Sequence, residues 1–448
     1  MKILVVTNLY PPFYQGGYEL HCAQVAEALH RAGHAMLVLT SVHGLPLDFL
    51  GNIQPRTDLR NDIRVHRRLN QYVYEPQPKR RPWTLFRAKR ELQDAREFIT
   101  TLDEFKPDVV NWWNMNGLTK LILSIPSLRR IPDVYSIEDN WLITDYGPGG
   151  MTASAFWTDL WGGNWGPSPL RPLFHRLGAR WEKRISREGI PTRIRPRRHG
   201  HACFLSKYLQ DRHREAGIEF SSSQVLYGGV KPELFFPPAT RHRYEADPLR
   251  ILYAGQITPA RGLHTIVEAI ALLDPVLRQH VTLSVAGDGH ADYLSHIRMR
   301  IHASGLTDLV SFLGKVPHEQ IASIYQHHDV FVFASERPEG LGFVIIEAMM
   351  AGCAVLTTGS GGAMEIANAA DLPIFPKDDP RALSHILTNL VTNRAEVAKI
   401  ASHGQEVALR DFGFDLMIER WNHTLQQICA SQTPSTQPDH NVVARGHR

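Results

Sequence analysis

Two hydrophobic rhythms alternate along this chain. Lys2 to Thr7 is a short, β-rich apolar run, and a Pro/Gly loop, NLYPPFYQGG, follows it. The next segment, YELHCAQVAEALHRAGH, sets Leu20, Ala23, Val25 or Ala26, Leu29 and Ala32 at helical spacing. Gly33 then stands where a helix C-cap is favoured. AMLVLTS is the next apolar run, so the order is strand, loop, helix, strand, the unit of a parallel sheet. Further strands are predicted at Ile63 to His66, Asp108 to Trp112, Val134 to Ile137, Ala202 to Leu205 and Gln224 to Tyr227. Between Asp145 and His199 the periodicity fades into Gly, Pro, Trp and Arg, which predicts a long irregular insertion with a helix near Leu173 to Glu188.

The pattern restarts after GGVKPELFFPPATRHRYEADP, whose prolines at 232, 237, 238 and 248 predict an extended hinge. LRILYAG, VTLSVAGDG, LVSFLG, VFVFAS and CAVLTT read as strands. GLHTIVEAIALL, Ala291 to Ser304, EQIASIYQHH and Gly342 to Ala351 read as helices, the last stopped by Gly352. Two doubly wound α/β domains in tandem are predicted, facing across a cleft. They span residues 1–230 and 231–412; a helix at 413–429 is expected to pack back on the first domain, and 430–448 to be a disordered tail.

Composition narrows the class without naming it. At 448 residues, with 43% hydrophobic and 21% charged residues, the chain suits two or three soluble domains. A net charge of +4 demands no polyanionic partner, and no nucleic-acid module is recognised. Cys22, Cys203, Cys353 and Cys429 have no CxxC spacing, so neither a zinc site nor a disulfide framework is indicated. The first apolar run is too short for a signal peptide, and no stretch reaches the length of a membrane span. A cytoplasmic protein is expected.

In such folds ligands lie at the carboxyl ends of the strands. Gly340, Leu341 and Gly342 sit between a strand and a helix, where backbone N–H groups attract phosphate. Glu347 follows inside an otherwise apolar run. A buried carboxylate needs a partner. Either an Arg or a helix end supplies it, or the paired hydroxyls of a ribose do. Arg261 and Gly262 open another helix; Arg261 is either a solvated charge or a cation for a diphosphate. Gly16 and Gly17 start the first helix as a possible anion turn. NLYPPFYQGG replaces the GxGxxG that a dehydrogenase would carry.

Taken together, these residues resemble family 4 glycosyltransferases of the GT-B fold. The signature is E-x7-E, Glu339 through Glu347. Its companions occur in order: YPPFYQGG with HRAGHAMLVLTS, KPDVV, FLSKYLQ, YAGQITPARGL, VAGDG, VSFLGKV with YQHHDVFVFAS, and GGAMEIA. The resemblance covers roughly residues 1–425. It implies a retaining, metal-independent transferase that takes a nucleotide-sugar donor and needs no cofactor. Its acceptor would be a glycan, a lipid-linked species or a small molecule, in surface or storage glycan synthesis. Glu347 would hold the ribose. Glu339 with Gly340, Leu341 and Gly342 would touch sugar and phosphates, Arg261 would stabilise the diphosphate, and Lys315 and Val316 would lie beside the base. Gly16 and Gly17 would approach from the first domain. Two positions depart from the family pattern. Gln256 stands where Arg is frequent, and Glu138–Asp139 where many relatives have His-Asp, a His that contacts the donor sugar. A nucleotide-sugar epimerase and a non-catalytic binder remain as rivals on the same architecture.

KRRPWTLFRAKR at 79–90 has six basic residues, no acid, and Trp83, Leu85 and Phe86 among them; RIRPRRHGH at 193–201 is similar. Such runs are either solvated surface or contacts with anionic phospholipid at the inner face of a membrane.

Overall fold

The computed structural model describes residues 1–46, 54–71, 81–146, 157, 160, 168–192, 199–236, 244 and 247–431. The first sheet contains β1 (Lys2–Val6), β2 (Ala35–Ser41), β3 (Arg56–Arg60), β4 (Ile63–Leu69), β5 (Val109–Trp112), β6 (Asp133–Ile137), β7 (His199–Phe204) and β8 (Phe220–Val225). Their order is β3-β4-β2-β1-β5-β6-β7-β8, parallel throughout except for the antiparallel β3–β4 pair. The second sheet contains β9 (Leu249–Ala254), β10 (Val281–Ala286), β11 (Val310–Gly314), β12 (Val330–Phe333) and β13 (Ala354–Thr357). It is all parallel, in the order β11-β10-β9-β12-β13.

Central strands such as Ile3–Val6, Val109–Trp112 and Val330–Phe333 are buried at every position. Helices cover both faces of a parallel sheet, so these runs show no polar alternation. The edges differ. β3, sequence RTDLR, is largely exposed and was not among the predicted strands. β8, sequence FSSSQV, starts before the predicted 224–227 run and overlaps it at Gln224 and Val225. Edge strands face water, so apolar runs mark them poorly.

The first helix spans Gly17–Arg31 and Gly33 follows it with φ 91°. Its buried face carries Cys22, Val25, Ala26 and Leu29, as well as Glu19 and His21, while Ala32 is exposed. Ala23, Val25, Ala26 and Leu29 of the predicted stripe are buried, Leu20 is half-buried, and the inward face is widened by Glu19 and His21, which point to polar partners. The insertion's helix runs Arg171–Arg187, close to the predicted span. Helices Pro380–Thr392 and Arg394–Asp411, absent from the predicted elements, extend the second domain.

A last helix, Phe414–Ala430, leaves the second domain and returns to the first. Trp421 stacks on Trp113 with centroids 6.1 Å apart, and Asn422 Oδ1 lies 2.7 Å from His34 Nε2. Gln224 donates to Thr424 Oγ1 at 2.5 Å. Most of the expected tail, from residue 432 onward, lies outside the described residues, as does 193–198 in the second basic run. No helix among the described residues is long and apolar enough to cross a membrane.

Candidate active site

Both sheets reverse their winding once, and the reversal opens a crevice at the carboxyl ends of the strands. In the first sheet it falls between β1 and β5, beside the loop that leads to Gly16 and Gly17. In the second it falls between β9 and β12. Arg261 follows β9 and Glu339 follows β12, so the two stand on opposite lips of that crevice.

They meet there. The Arg261 guanidinium donates to Glu339 Oε1, and Ser335 Oγ donates to the same oxygen at 3.1 Å. The local backbone explains how Arg261 arrives. Pro259–Arg261 is a single tight turn ended by Gly262 at φ 69°. A Cβ on Gly262 would come within 2.0 Å of the Ala334 carbonyl oxygen. Only Gly fits both the backbone angle and that approach, and Glu336 N–H then bonds the Ala260 carbonyl at 3.0 Å.

Glu347 sits on the helix Phe343–Met350, which Gly342 opens in the left-handed region at φ 102°. Glu347 is half-buried and accepts from the Tyr325 hydroxyl at 3.3 Å. Desolvation pushes its carboxyl up to about 7, and the Tyr325 bond only partly opposes this. Leu341 is 1% exposed in the core, so its side chain cannot face a ligand and only its backbone remains available.

The opposing wall touches this loop directly. A Cβ on Gly340 would lie 2.4 Å from the carbonyl oxygen of Glu138, the residue that follows β6 of the other domain. The Glu138 carboxylate receives His21 Nδ1 at 2.5 Å, and the two side chains are 7% and 6% exposed. Burial raises the Glu138 pKa, and His21 pulls it partly back. The His21 ring is sealed by Phe343 (5.0 Å), Trp113 (5.7 Å) and Met417 Sδ (3.1 Å), the last from the returning helix. Tyr18 accepts from Glu138 N–H at 3.4 Å and from Trp141 Nε1 at 3.3 Å, which fixes the end of β6.

At Gly16 and Gly17 an added Cβ would meet nothing within 4 Å, so the protein's own packing does not require glycine at either. Gly16 N–H donates to Glu19 Oε2 at 3.0 Å, and Asn114 Nδ2 donates to Glu19 Oε1 at 3.1 Å. One amide of this helix start is therefore already engaged. Gln256 is exposed in the loop after β9, and its carbonyl accepts from the Tyr253 hydroxyl at 2.6 Å. Lys315 is exposed and Val316 half-buried. Both follow the edge strand β11, two strands away from the β9 loop that carries Arg261.

Sequence reasoning gave no role to His21, Ser335 or Glu365. His21 hid among helical core positions. Glu365 lay in the quoted GGAMEIA, and it joins the two domains. Its carboxylate accepts from the Lys207 and Tyr208 N–H groups at 2.9 and 2.7 Å, at the start of helix Lys207–Glu215, and from the Tyr227 hydroxyl at 2.9 Å. The neighbouring Gly362 N–H donates to the Glu339 carbonyl at 2.8 Å. Behind Arg261, His264 Nε2 stands 3.3 Å from both Glu336 Oε1 and Asp378 Oδ1, the one grouping among the described residues with metal-ligand spacing. Its Asp378 is 68% exposed, and the imidazole bridges the two carboxylates without a further group.

Comparison with known proteins matches both halves. The model described as Glycosyltransferase Family 4 covers residues 15–234, and that described as Glycosyl transferases group 1 covers residues 240–407. An uncharacterized glycosyltransferase of Methanocaldococcus jannaschii is 26% identical over 82% of this chain and 82% of its own length. A D-inositol 3-phosphate glycosyltransferase of Streptomyces avermitilis is 30% identical over 46% of each chain, so this chain spans about half of that relative. Among solved structures, Anabaena HepE in complex with UDP superposes with a TM-score of 0.64 at 20% identity, over 95% of this chain and 100% of that one. Sucrose-phosphate synthase of Thermosynechococcus elongatus superposes at 0.66 and 19% identity, over 96% and 99%.

Proposed function

The chain is a family 4 glycosyltransferase with the GT-B fold, and from that premise we propose a retaining, metal-independent transfer of a sugar from a nucleotide-sugar to a glycan, lipid-linked or small-molecule acceptor. The observation that carries this reading is the meeting of Arg261 and Glu339 across the second sheet's crevice, with Gly340 against Glu138 of the opposite wall. HepE binds UDP and UDP-glucose, which supports a nucleotide-sugar as donor.

Each group has a task in this scheme. Glu347 accepts hydrogen bonds from the ribose diol. The amides of Gly340, Leu341 and Gly342 point at the diphosphate from a helix start. Arg261 exchanges Glu339 for the diphosphate, and Glu339 then accepts from a sugar hydroxyl. As the bond between the anomeric carbon and phosphate breaks, negative charge grows on the leaving oxygen, where Arg261 and the amides stabilise it. The acceptor oxygen bonds the anomeric carbon on the same face and gives its proton to the leaving phosphate, so configuration is kept. Lys315 and Val316 border the base, Gln256 lines the phosphate side, and Gly16 and Gly17 leave room for the donor's approach. Glu138, its carboxylate sealed against His21, backs the sugar side of the crevice through its backbone carbonyl beside Gly340. Peripheral contact with anionic membrane belongs to the same reading, because a lipid-linked acceptor lives there.

The test is a panel of UDP-, GDP- and ADP-sugars incubated with the protein and chelator, with products read by mass spectrometry and the new anomeric bond by NMR. Transfer or donor hydrolysis that survives chelation and is lost in Arg261→Ala is expected. An inverted product, dependence on added metal, or isomerised donor with no transfer would replace this scheme.

A further inference from the structure

We propose that helix Arg171–Arg187 is an anionic-lipid docking surface, on an element outside the two basic runs noted in the sequence. One face of this helix is anchored. Gly178 and Ile185 are buried, and Trp181 packs on Trp157 with centroids 4.9 Å apart. At 3.6 residues per turn, the opposite arc, about a third of the circumference, carries Arg176, Arg180, Lys183, Arg184 and Arg187. None of these five makes an ion pair among the described residues. Leu173 and Leu177 stand on the same arc, 52% and 48% exposed, with Leu170 at its border 46% exposed. The helix's one acid, Glu182, lies off this arc and accepts from Thr192 at 2.8 Å.

Leucine and cation on one arc select the partner. A polyanion without an apolar layer, such as nucleic acid, would leave both leucines in water. A second copy of this chain would bring two arrays of like charge together. An anionic bilayer satisfies both halves: the leucines enter the acyl boundary while the arginines and the lysine extend to headgroup phosphates. Just past the helix, Glu188 bonds Arg96 at 2.8 Å, which ties this surface to helix Arg81–Phe105 and its basic start. The surface thus gives a place to the peripheral contact proposed above, yet it is measured without any sugar transfer, so the two readings fail separately.

The experiment is flotation of the purified full chain with vesicles of phosphatidylcholine alone or mixed seven to three with phosphatidylglycerol. The native chain should float with the anionic vesicles and stay behind with the neutral ones. Leu173→Ser with Leu177→Ser, and separately Arg180→Gln with Arg184→Gln, should each cut lipid partitioning by about tenfold or more. Lys399→Gln, an exposed cation of the second domain, should leave it unchanged. Equal flotation of native and variant chains, or none of the native chain, overturns the proposal. So does a leucine pair that changes the sedimentation mass but not lipid binding, which would make the arc a self-association surface. If the leucine variant melts early, the arginine pair decides, since its side chains lie wholly outside the core.

Discussion

The crevice has two acid–base pairs, one on each wall, and they are built in opposite ways. Arg261 and Glu339 are 30% and 19% exposed and sit on loops after β9 and β12. His21 and Glu138 are 6% and 7% exposed, under Phe343, Trp113 and Met417. A partly hydrated pair contributes little to stability and can trade partners. A sealed pair holds position, because losing either member strands the other in a poor solvent for charge. One wall is thus arranged to be rearranged by a charged ligand, and the other to stay fixed while that happens.

Breaking each pair should therefore show in different measurements. Arg261→Ala should cut the transfer rate by about 100- to 1,000-fold, the usual loss when one preorganised donor to a developing anion is removed. Its urea midpoint should correspond to a stability change within about 1 kcal/mol. His21→Ala should do the reverse, with about 3 kcal/mol lost in denaturant unfolding and a smaller effect on rate per folded molecule. Adding Glu138→Gln to His21→Ala should restore part of that stability, and strict additivity would contradict the sealed pair. If Arg261→Ala unfolds the protein while His21→Ala abolishes only activity, the contrast between the walls is wrong.

The difference also explains what could be read in advance. The two α/β domains were legible because short apolar runs such as ILVV and VFVF alternate with helix-length segments of 3.6-residue periodicity, the pattern of a parallel sheet. Glu347 was legible as an acid inside an apolar run, and Arg261 as a cation beside a glycine at a helix start. The resemblance supplied their grouping, since residues 261 and 339 are brought together only by the chain's return from β11 to β12. His21 was not legible. It occupies a helix position that any core residue could fill, and its partner is 117 residues away. β3 escaped and β8 was placed too far along the chain for the opposite reason, both being edge strands with polar sequences.

Glu347 sharpens the picture of the adaptable wall through pH. Its carboxyl is pushed up to about 7, so at pH 6 it is mostly neutral and at pH 8 mostly ionised. If the ionised form grips the ribose diol, donor affinity should rise by about tenfold from pH 6 to 8 and level off above. A nucleotide-sugar suits this calorimetric titration because its diphosphate does not itself titrate there. Glu347→Gln should bind more weakly and lose the pH dependence. The same raised pKa has a stability sign. The native state holds a proton that the unfolded chain has released, so the empty protein loses stability as pH climbs from the ordinary carboxylate range to 7. Glu347→Gln should accordingly raise the melting temperature at pH 8 more than at pH 5.

The smallest effect belongs to the tie between the walls. Glu365 reaches from the second domain to cap helix Lys207–Glu215 of the first, and through Gly362 its own segment is bonded to the Glu339 carbonyl. An acid at a helix start is stabilised by unpaired N–H groups and the helix dipole, an effect of about 1 kcal/mol. Glu365→Ala removes it and leaves Ser206 capping only the Leu209 N–H. The domains should then spend more time apart, with a radius of gyration that grows in small-angle scattering and a donor KM that rises by about fivefold. Saturating donor should reverse both changes, because donor bound to both walls replaces the lost tie. Glu365→Gln, which keeps an acceptor oxygen without charge, should fall between. A variant with native scattering and native KM would mean that the walls are held together by Phe343, the Gly340 contact and the returning helix, and that the adaptable wall moves only in its loops.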